Sequence, residues 1–289
     1  MAEQTVSRTA LGTAICRMIE QYQPQEMRMF EDPVAQALVG GPIRMMMHLS
    51  PMRTLTLNQT DAVAQGIYGV QICRTRYIDE AVRSAVSDGM KQLVILGAGY
   101  DTRAYRLSGL EGIRVFELDL PAVQQDKEKK LRAALHPLPG NVTFVPIDFD
   151  AQALEQVLVG TAFDPGRPAF FLWEGVTQYI TEEAVRRTLA YIGKLTPGSQ
   201  LLFTYVLKSI IEDRSDIPDA AHLMEVVAKQ SPWIFGLDPA EIKAFLQPYR
   251  LTLTADVGAV DFEEKYLKPI HRSLVVFSGE RTALAAVRA

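Results

Sequence analysis

The sequence has little cysteine, and its cysteines favour neither a disulfide framework nor a metal site. Cys16 and Cys73 are the two cysteines among 289 residues; they lie far apart and belong to no Cys-x-x-Cys motif. Structural zinc sites and disulfide-rich secreted domains need several cysteines at short, recurring spacings. We therefore expect a cytoplasmic protein with no bound metal.

Long apolar runs and an excess of basic charge are also absent. No stretch approaches the roughly 20 apolar residues of a membrane span, and the first residues lack the basic and apolar regions of a secretory signal peptide. The formal net charge is −4 and the isoelectric point about 5.7, whereas proteins that bind a nucleic-acid backbone carry a basic stripe. We expect no signal peptide, no membrane span and no nucleic-acid partner.

From about residue 91 onward, short apolar segments alternate with segments of helical spacing. This alternation is typical of a parallel sheet with helices on both faces. We predict strands over 93–96, 114–118, 142–146, 169–173, 200–205, 250–255 and 273–277, helices over 7–21 and 61–87, and a frayed end over 283–289. The predicted fold class is α/β, with a doubly wound, mostly parallel seven-stranded sheet of the Rossmann-like kind.

The most informative local pattern is a glycine turn after the first predicted strand. Gly97, Ala98 and Gly99 follow four apolar residues. Glycine adopts a positive φ at little cost and lets a ligand approach the backbone, and such a turn before a helix presents N–H groups to an anionic group. The next predicted strand ends at Asp119, a position that suits hydrogen bonds with ribose hydroxyls. These features together predict a site for a nucleoside cofactor.

Two residues of this turn separate the possible cofactors. A dinucleotide-binding turn has a third glycine, but Thr102 occupies that position, and Asp101 would repel a diphosphate. An acid there favours a cofactor with positive charge, such as the sulfonium and amino groups of S-adenosylmethionine. A nicotinamide-dependent reductase is the disfavoured alternative.

Two later strand ends also carry distinctive residues. Asp148 and Phe149 follow the third predicted strand, where an acid and an aromatic ring suit an adenine. Glu174 directly follows an apolar strand, where a charge is costly unless it is paired or used. Glu174 is therefore either a functional acid or the partner of an ion pair or helix start.

These segments together resemble a known family. The resemblance rests on Arg74–Asp79, Leu96–Arg106, Phe116–Pro121 and Glu174–Tyr179, which occur in this order, and on Arg8–Ala10 and Asp32–Pro33 near the N-terminus. They resemble the leucine carboxyl methyltransferase family, in its bacterial branch of S-adenosylmethionine-dependent O-methyltransferases. The resemblance extends from about residue 8 to the end and implies the class I methyltransferase fold.

The resemblance also implies roles for single residues. Arg74 would pair with the cofactor's carboxylate in bidentate geometry; Arg76 is the less favoured alternative. The glycine turn would hold the methionine portion, with Asp101 near its ammonium; Asp119 would bind the ribose, and Asp148 with Phe149 the adenine. The implied cofactor-binding residues are Arg74, Gly97, Ala98, Gly99, Asp101, Asp119, Leu120, Asp148, Phe149 and Glu174.

The methyl acceptor is less well defined than the donor. We expect a small apolar molecule such as a polyketide or another secondary metabolite, methylated on a carboxylate, which needs no base, or on a hydroxyl, which would gain from one. Tyr179, implied by the resemblance to reach the acceptor, and His222 are the predicted catalytic residues. The methionines at 45–47 indicate either a helix packed on the core or an adaptable lid, with Trp233–Phe235 as the opposite wall.

We predict one domain in four parts: a helical N-terminal cap (1–90), a cofactor-binding core (91–207), a helical lid insertion (208–247) and closing strands (248–289). Methylation of a protein C-terminal carboxylate is the alternative function within the family. A binding module that holds the cofactor without catalysis is another alternative. The oligomeric state is open.

Overall fold

The computed structural model describes residues 2–288, and side chains from Thr9 onward except that of Gln230. A seven-stranded sheet runs through this part of the chain in the order β3-β2-β1-β4-β5-β7-β6. The strands are β1 (Gln92–Leu96), β2 (Arg114–Asp119), β3 (Val142–Pro146), β4 (Phe170–Trp173), β5 (Gln200–Val206), β6 (Leu251–Val257) and β7 (Glu280–Val287). β1 to β5 pair in parallel, and β7 is antiparallel to both of its neighbours. The predicted α/β fold is confirmed.

Helices precede and connect the strands. Before β1 lie α1 (Ala2–Glu20), α2 (Ala35–Leu38), α3 (Gly41–Met47), α4 (Ser50–Asp61) and α5 (Ile67–Ser87). Between the parallel strands lie α6 (Arg103–Arg106), α7 (Pro121–Ala134), α8 (Leu154–Leu158) and α9 (Glu182–Ile192). After β5 follow α10 (Lys208–Ile211), α11 (Ala220–Gln230), α12 (Ile242–Leu246) and α13 (Ala259–Phe262). Shorter helical turns occupy Thr177–Tyr179, Gln247–Tyr249, Glu263–Leu267 and Lys268–Ile270.

The central strands are apolar throughout because both faces of the sheet are covered. Successive side chains of a strand point to opposite faces. Val94 and Leu96 accordingly belong to one hydrophobic cluster, whereas Leu93 and Ile95 belong to another on the other face. All residues of β1 are buried, as expected for parallel strands with helices on both sides.

Two predictions for the C-terminal region are wrong. Residues 273–277 form no strand of the sheet; they lie against the start of α5, where the Phe277 N–H donates to the Gly66 carbonyl at 2.9 Å. The last strand is instead β7, which overlaps the stretch predicted to fray. Its small residues Ala283 and Ala285 are fully buried between β5 and β6, and alanine gives little indication of a strand in a sequence.

The predicted helix over 61–87 begins later than expected. Gly66 has a φ of +87°, so the chain turns there and α5 starts at Ile67, while α4 precedes it as a separate helix. Of the three adjacent methionines, Met47 is buried, but Met45 is 70% exposed. No helix in the described part of the chain has the length and apolar character needed to cross a bilayer.

Candidate active site

A cavity of about 480 Å³ lies at the carboxyl edge of the parallel strands. Residues that end or follow β1 to β4 contribute to its lining, which is the position expected for a ligand of a doubly wound sheet. All the residues predicted to bind the cofactor line this one cavity: Arg74, Gly97, Ala98, Gly99, Asp101, Asp119, Leu120, Asp148, Phe149 and Glu174. The fold therefore brings together residues that are up to 100 positions apart in the sequence.

The glycine turn and Asp119 form one hydrogen-bonded unit. Gly97 and Gly99 have φ values of +65° and +41°, and a Cβ at position 97 would lie 2.3 Å from the Val176 side chain. The Asp119 carboxylate accepts the Gly99 N–H at 2.6 Å and the Leu120 N–H at 2.7 Å. Burial raises the pKa of Asp119, and these two N–H groups partly offset that rise. The turn thus fixes the orientation of the carboxylate that was predicted to bind ribose.

Arg74 is ion-paired on two sides. Its Nε donates to Glu174 Oε1 at 2.8 Å, and its Nη1 donates to Glu280 Oε1 at 2.5 Å. The guanidinium is almost completely buried. Arg76, the alternative, is half-exposed, pairs with Glu80 at 2.7 Å and does not line the cavity. Arg74 is therefore the arginine that faces the site.

Arg103 connects Glu174 to the glycine turn. Its Nη1 donates to Glu174 Oε2 at 2.7 Å and to Asp101, and its Nε donates to Asp79 at 2.8 Å. Burial alone would raise the pKa of Glu174, but Arg103 and Arg74 outweigh it and lower the pKa to about 2. The pKa of Asp101 is likewise lowered, because Arg103 outweighs the effect of burial. Both acids are consequently anionic at neutral pH.

The third-glycine position has a structural role. The Thr102 hydroxyl donates to Asp32 at 2.6 Å, and Asp32 also pairs with Arg17 at 3.0 Å. Arg17 in turn donates to the Tyr100 carbonyl at 2.5 Å. These contacts hold α1 against the glycine turn, so that Thr9 and Arg17 line the cavity. Arg8, which contributes to the resemblance near the N-terminus, has a side chain outside those that the structure describes.

The end of the cavity near β3 is formed by Ile147, Asp148 and Phe149. Phe149 is buried, and its ring centroid lies 6.1 Å from that of Trp173. Asp148 is exposed, and its Oδ1 accepts the Asp150 N–H at 3.0 Å. This end of the cavity therefore combines an aromatic wall with an accessible carboxylate.

Another part of the cavity lining is mainly apolar. Tyr179 and Trp233 line it together with Ile67, Val70, Leu223 and Phe277. Burial raises the pKa of Tyr179. The Trp233 indole nitrogen has no acceptor at hydrogen-bond distance within the described residues. The phenol of Tyr179 therefore stays protonated at neutral pH and can donate a hydrogen bond.

His222 and the three consecutive methionines at 45–47 do not reach this cavity. The side chain of His222 is 53% exposed and lies 4.0 Å from Glu225 on the same helix. His222 is absent from the cavity lining, as are Met45, Met46 and Met47. Leu223, the next residue along α11, is the one that faces the cavity, because adjacent helical positions point about 100° apart.

Charged residues of the site that had no predicted role include Arg17, Arg103 and Glu280. Arg103 lies in the motif of the glycine turn, but its partner Asp79 is 24 residues away. Glu280 was missed because its strand was predicted at the wrong place. The one signal for Glu280 in the sequence is an acid shortly before an apolar stretch near the C-terminus.

Comparison with known proteins places the chain in a family. Residues 10–193, more than half of the chain, match the family described as leucine carboxyl methyltransferase. The chain belongs to this family. Membership confirms the predictions of a methyltransferase enzyme and of S-adenosylmethionine as its cofactor.

Individual relatives are similar over most of the chain. A proposed S-adenosyl-L-methionine-dependent methyltransferase of Parafrankia sp. is 30% identical over 239 residues, which is 81% of this chain and 73% of the relative. One of Streptomyces coelicolor is 32% identical over 206 residues, 71% of this chain and 70% of the relative. The solved structure of a proposed methyltransferase from Thermobifida fusca YX has a TM-score of 0.61 at 19% identity, over 88% of this chain and 93% of that one. The structural similarity supports the fold.

Proposed function

We propose that the protein transfers the methyl group of S-adenosylmethionine to a carboxylate oxygen of a small apolar molecule, such as a polyketide or another secondary metabolite. The observation that carries the proposal is that the predicted cofactor residues and an apolar wall line one continuous cavity. Helices of the N-terminal part and of the 208–247 insertion supply much of that wall, and we propose that they form a cap over the acceptor. Both cysteines are free and buried, which supports a cytoplasmic location.

The residues at the strand ends fit S-adenosylmethionine. When bound, this cofactor supplies an electrophilic methyl group on a positively charged sulfonium. Asp101 and Glu174 are anionic and face the part of the cavity next to the glycine turn, which suits the positive end of the ligand. Arg74 would bind the cofactor's carboxylate, Asp119 the ribose, and Asp148 and Phe149 the adenine. A cavity of about 480 Å³ is within the usual range for small-molecule sites.

The acceptor end supports a reaction without a general base. Among the described residues that line the cavity, none is a histidine or a lysine. A carboxylate is already ionised at neutral pH, so its transfer reaction needs orientation of the attacking oxygen more than proton removal. Tyr179, which stays protonated, would donate a hydrogen bond to that carboxylate and orient it.

Calorimetry tests the cofactor site. We expect S-adenosylhomocysteine to bind and NADH not to bind. Asp119→Ala should weaken the binding by about 1–3 kcal/mol, the size expected for lost charge-assisted hydrogen bonds. Asp88→Ala, at an exposed acid outside the cavity, serves as the matched control and should bind as the wild type. Tight binding of NADH would contradict the proposal.

Transfer of a labelled methyl group tests the acceptor. The enzyme is incubated with labelled S-adenosylmethionine and an extract of the source cells, and the label is followed in the small-molecule and protein fractions. A methyl ester of a small molecule should release the label as methanol in mild alkali. A base-stable product would indicate a hydroxyl acceptor, and label in the protein fraction would indicate a protein carboxylate.

A further inference from the structure

Glu280 lies at the cavity although its strand runs against the others. β7 is antiparallel to β5, and Glu280 pairs in register with Val206, the last residue of β5. The first residue of β7 is therefore at the same edge of the sheet as the carboxyl ends of the parallel strands. The Glu280 side chain is 9% exposed and lines the cavity.

Glu280 and Glu174 together determine how Arg74 is oriented. Glu174 accepts a hydrogen bond from Nε of Arg74, and Glu280 accepts one from Nη1. A guanidinium is planar, so two partners in different directions fix both its position and its plane. The remaining nitrogen, Nη2, has no carboxylate partner among the described residues. It lies beside Gly175, where a Cβ would be 3.5 Å from it.

Without Glu280, a different geometry would be favoured. An arginine paired with a single carboxylate prefers two parallel hydrogen bonds, from Nε and a terminal nitrogen. Glu174 would then accept hydrogen bonds from both Nε and a terminal nitrogen of Arg74, and fewer N–H groups of Arg74 would remain for a ligand. The bond from Nη1 to Glu280 opposes this rearrangement because it anchors the other end of the guanidinium.

We propose that Glu280 is a positioning residue, which holds Arg74 so that its Nη2 donates to the carboxylate of the cofactor. The inference rests on the proposed function, since it takes Arg74 as the partner of that carboxylate. The hydrogen bond that Nη1 donates to Glu280 is what orients Arg74. The negative charge of Glu280 is secondary, because by itself it would disfavour a second carboxylate near Arg74.

Two substitutions separate the contact from the charge. Glu280→Gln keeps an oxygen at the same distance and removes the charge, whereas Glu280→Asp keeps the charge and withdraws the carboxylate by one methylene. Calorimetry compares S-adenosylhomocysteine with methylthioadenosine, which has the same nucleoside but no amino-acid portion. Glu264→Gln, at an exposed ion pair with Lys268, is the control.

We expect Glu280→Asp to bind S-adenosylhomocysteine about tenfold more weakly, the effect of about one charge-assisted hydrogen bond. Glu280→Gln should stay within about threefold of the wild type, and both variants should bind methylthioadenosine normally. Equal losses for both ligands, or a loss in Glu280→Gln without one in Glu280→Asp, would overturn the inference. If the wild type binds neither ligand, the proposed function itself fails.

Discussion

At the scale of single residues, the charge of Glu174 organises the part of the cavity next to the glycine turn. One of its oxygens accepts from Arg74 and the other from Arg103. Glu174 follows the fully buried strand β4, where an unpaired charge would be costly. The sequence left open whether this acid is functional or a partner in an ion pair or helix start; the structure shows the ion pairs and places the acid in the cavity lining.

We predict that Glu174→Gln destabilises the protein by about 3 kcal/mol at pH 7, because two buried guanidinium groups lose their shared counter-ion. The pKa of Glu174 is lowered from 4.5 to about 2, so its contribution is present above pH 4.5 and is lost as the pH falls towards 2. Chemical denaturation between pH 2 and pH 7 measures the difference between the variant and the wild type, which should shrink at acidic pH.

An exposed ion pair provides the control for this prediction. Glu182 pairs with Arg186 at 2.5 Å, but its side chain is 57% exposed, and such pairs contribute little. Glu182→Gln should therefore cost less than about 1 kcal/mol. Similar losses in the two variants would show that burial of the Glu174 pair has no special effect.

The predicted binding residues were accessible to sequence reasoning because each lies near the end of an apolar strand or in a recognisable motif. Gly97, Asp119 and Asp148 are of this kind. The pairing of Arg103 with Asp79 and of Arg17 with Asp32 was not accessible, since nothing local to either arginine specifies a partner on another helix or loop.

At the scale of elements, α5 and the segment before β7 depend on each other. Residues 275–277 cross the start of α5 at two glycines. A Cβ on Gly69 would lie 2.0 Å from the Val275 carbonyl oxygen, and one on Gly66 would lie 2.5 Å from the Phe277 nitrogen. The segment had been predicted as a strand from its apolar residues, but its hydrogen bond goes to Gly66, at the start of a helix.

We predict that Gly69→Ala costs about 1–3 kcal/mol of stability, the usual penalty for overpacking. It should also weaken acceptor binding, since Phe277 lines the cavity. Thermal unfolding and turnover at limiting acceptor would measure the two effects. Gly12→Ala is the control: it is exposed in α1 with no atom near the added Cβ, and alanine favours a helix by about 1 kcal/mol over glycine. Unchanged stability in Gly69→Ala would contradict the close crossing.

At the scale of the whole molecule, the pH dependence of stability includes a buried pair of titratable groups. Glu117 on β2 and Lys127 on α7 are both fully buried and lie 2.7 Å apart. Burial raises the pKa of Glu117 from 4.5 to about 7, although Lys127 acts in the opposite direction. The folded state therefore holds a proton that the unfolded state releases between pH 4.5 and 7.

We predict that Glu117 makes the protein less stable as the pH rises from 4.5 to 7. Its contribution is fully present below pH 4.5 and is lost as the pH passes through the raised pKa. The double variant Glu117→Gln/Lys127→Met should remove this part of the pH dependence, and it should fold, because replacing both members of a buried pair is often neutral or stabilising. Melting temperatures from pH 4.5 to pH 8 test the prediction; parallel profiles for the wild type and the double variant would contradict it.

Local patterns in the sequence were enough to predict the α/β class, the five parallel strands and a set of residues that line one cavity. These patterns are apolar runs buried on both faces, glycines in a turn with positive φ, and acids at strand ends. The position of β7 between β5 and β6 depends instead on contacts between strands, since a short alanine-rich strand is stabilised by its two neighbours rather than by its own residues. That insertion brings Glu280 to Arg74, 206 residues away in the sequence, and completes the cavity.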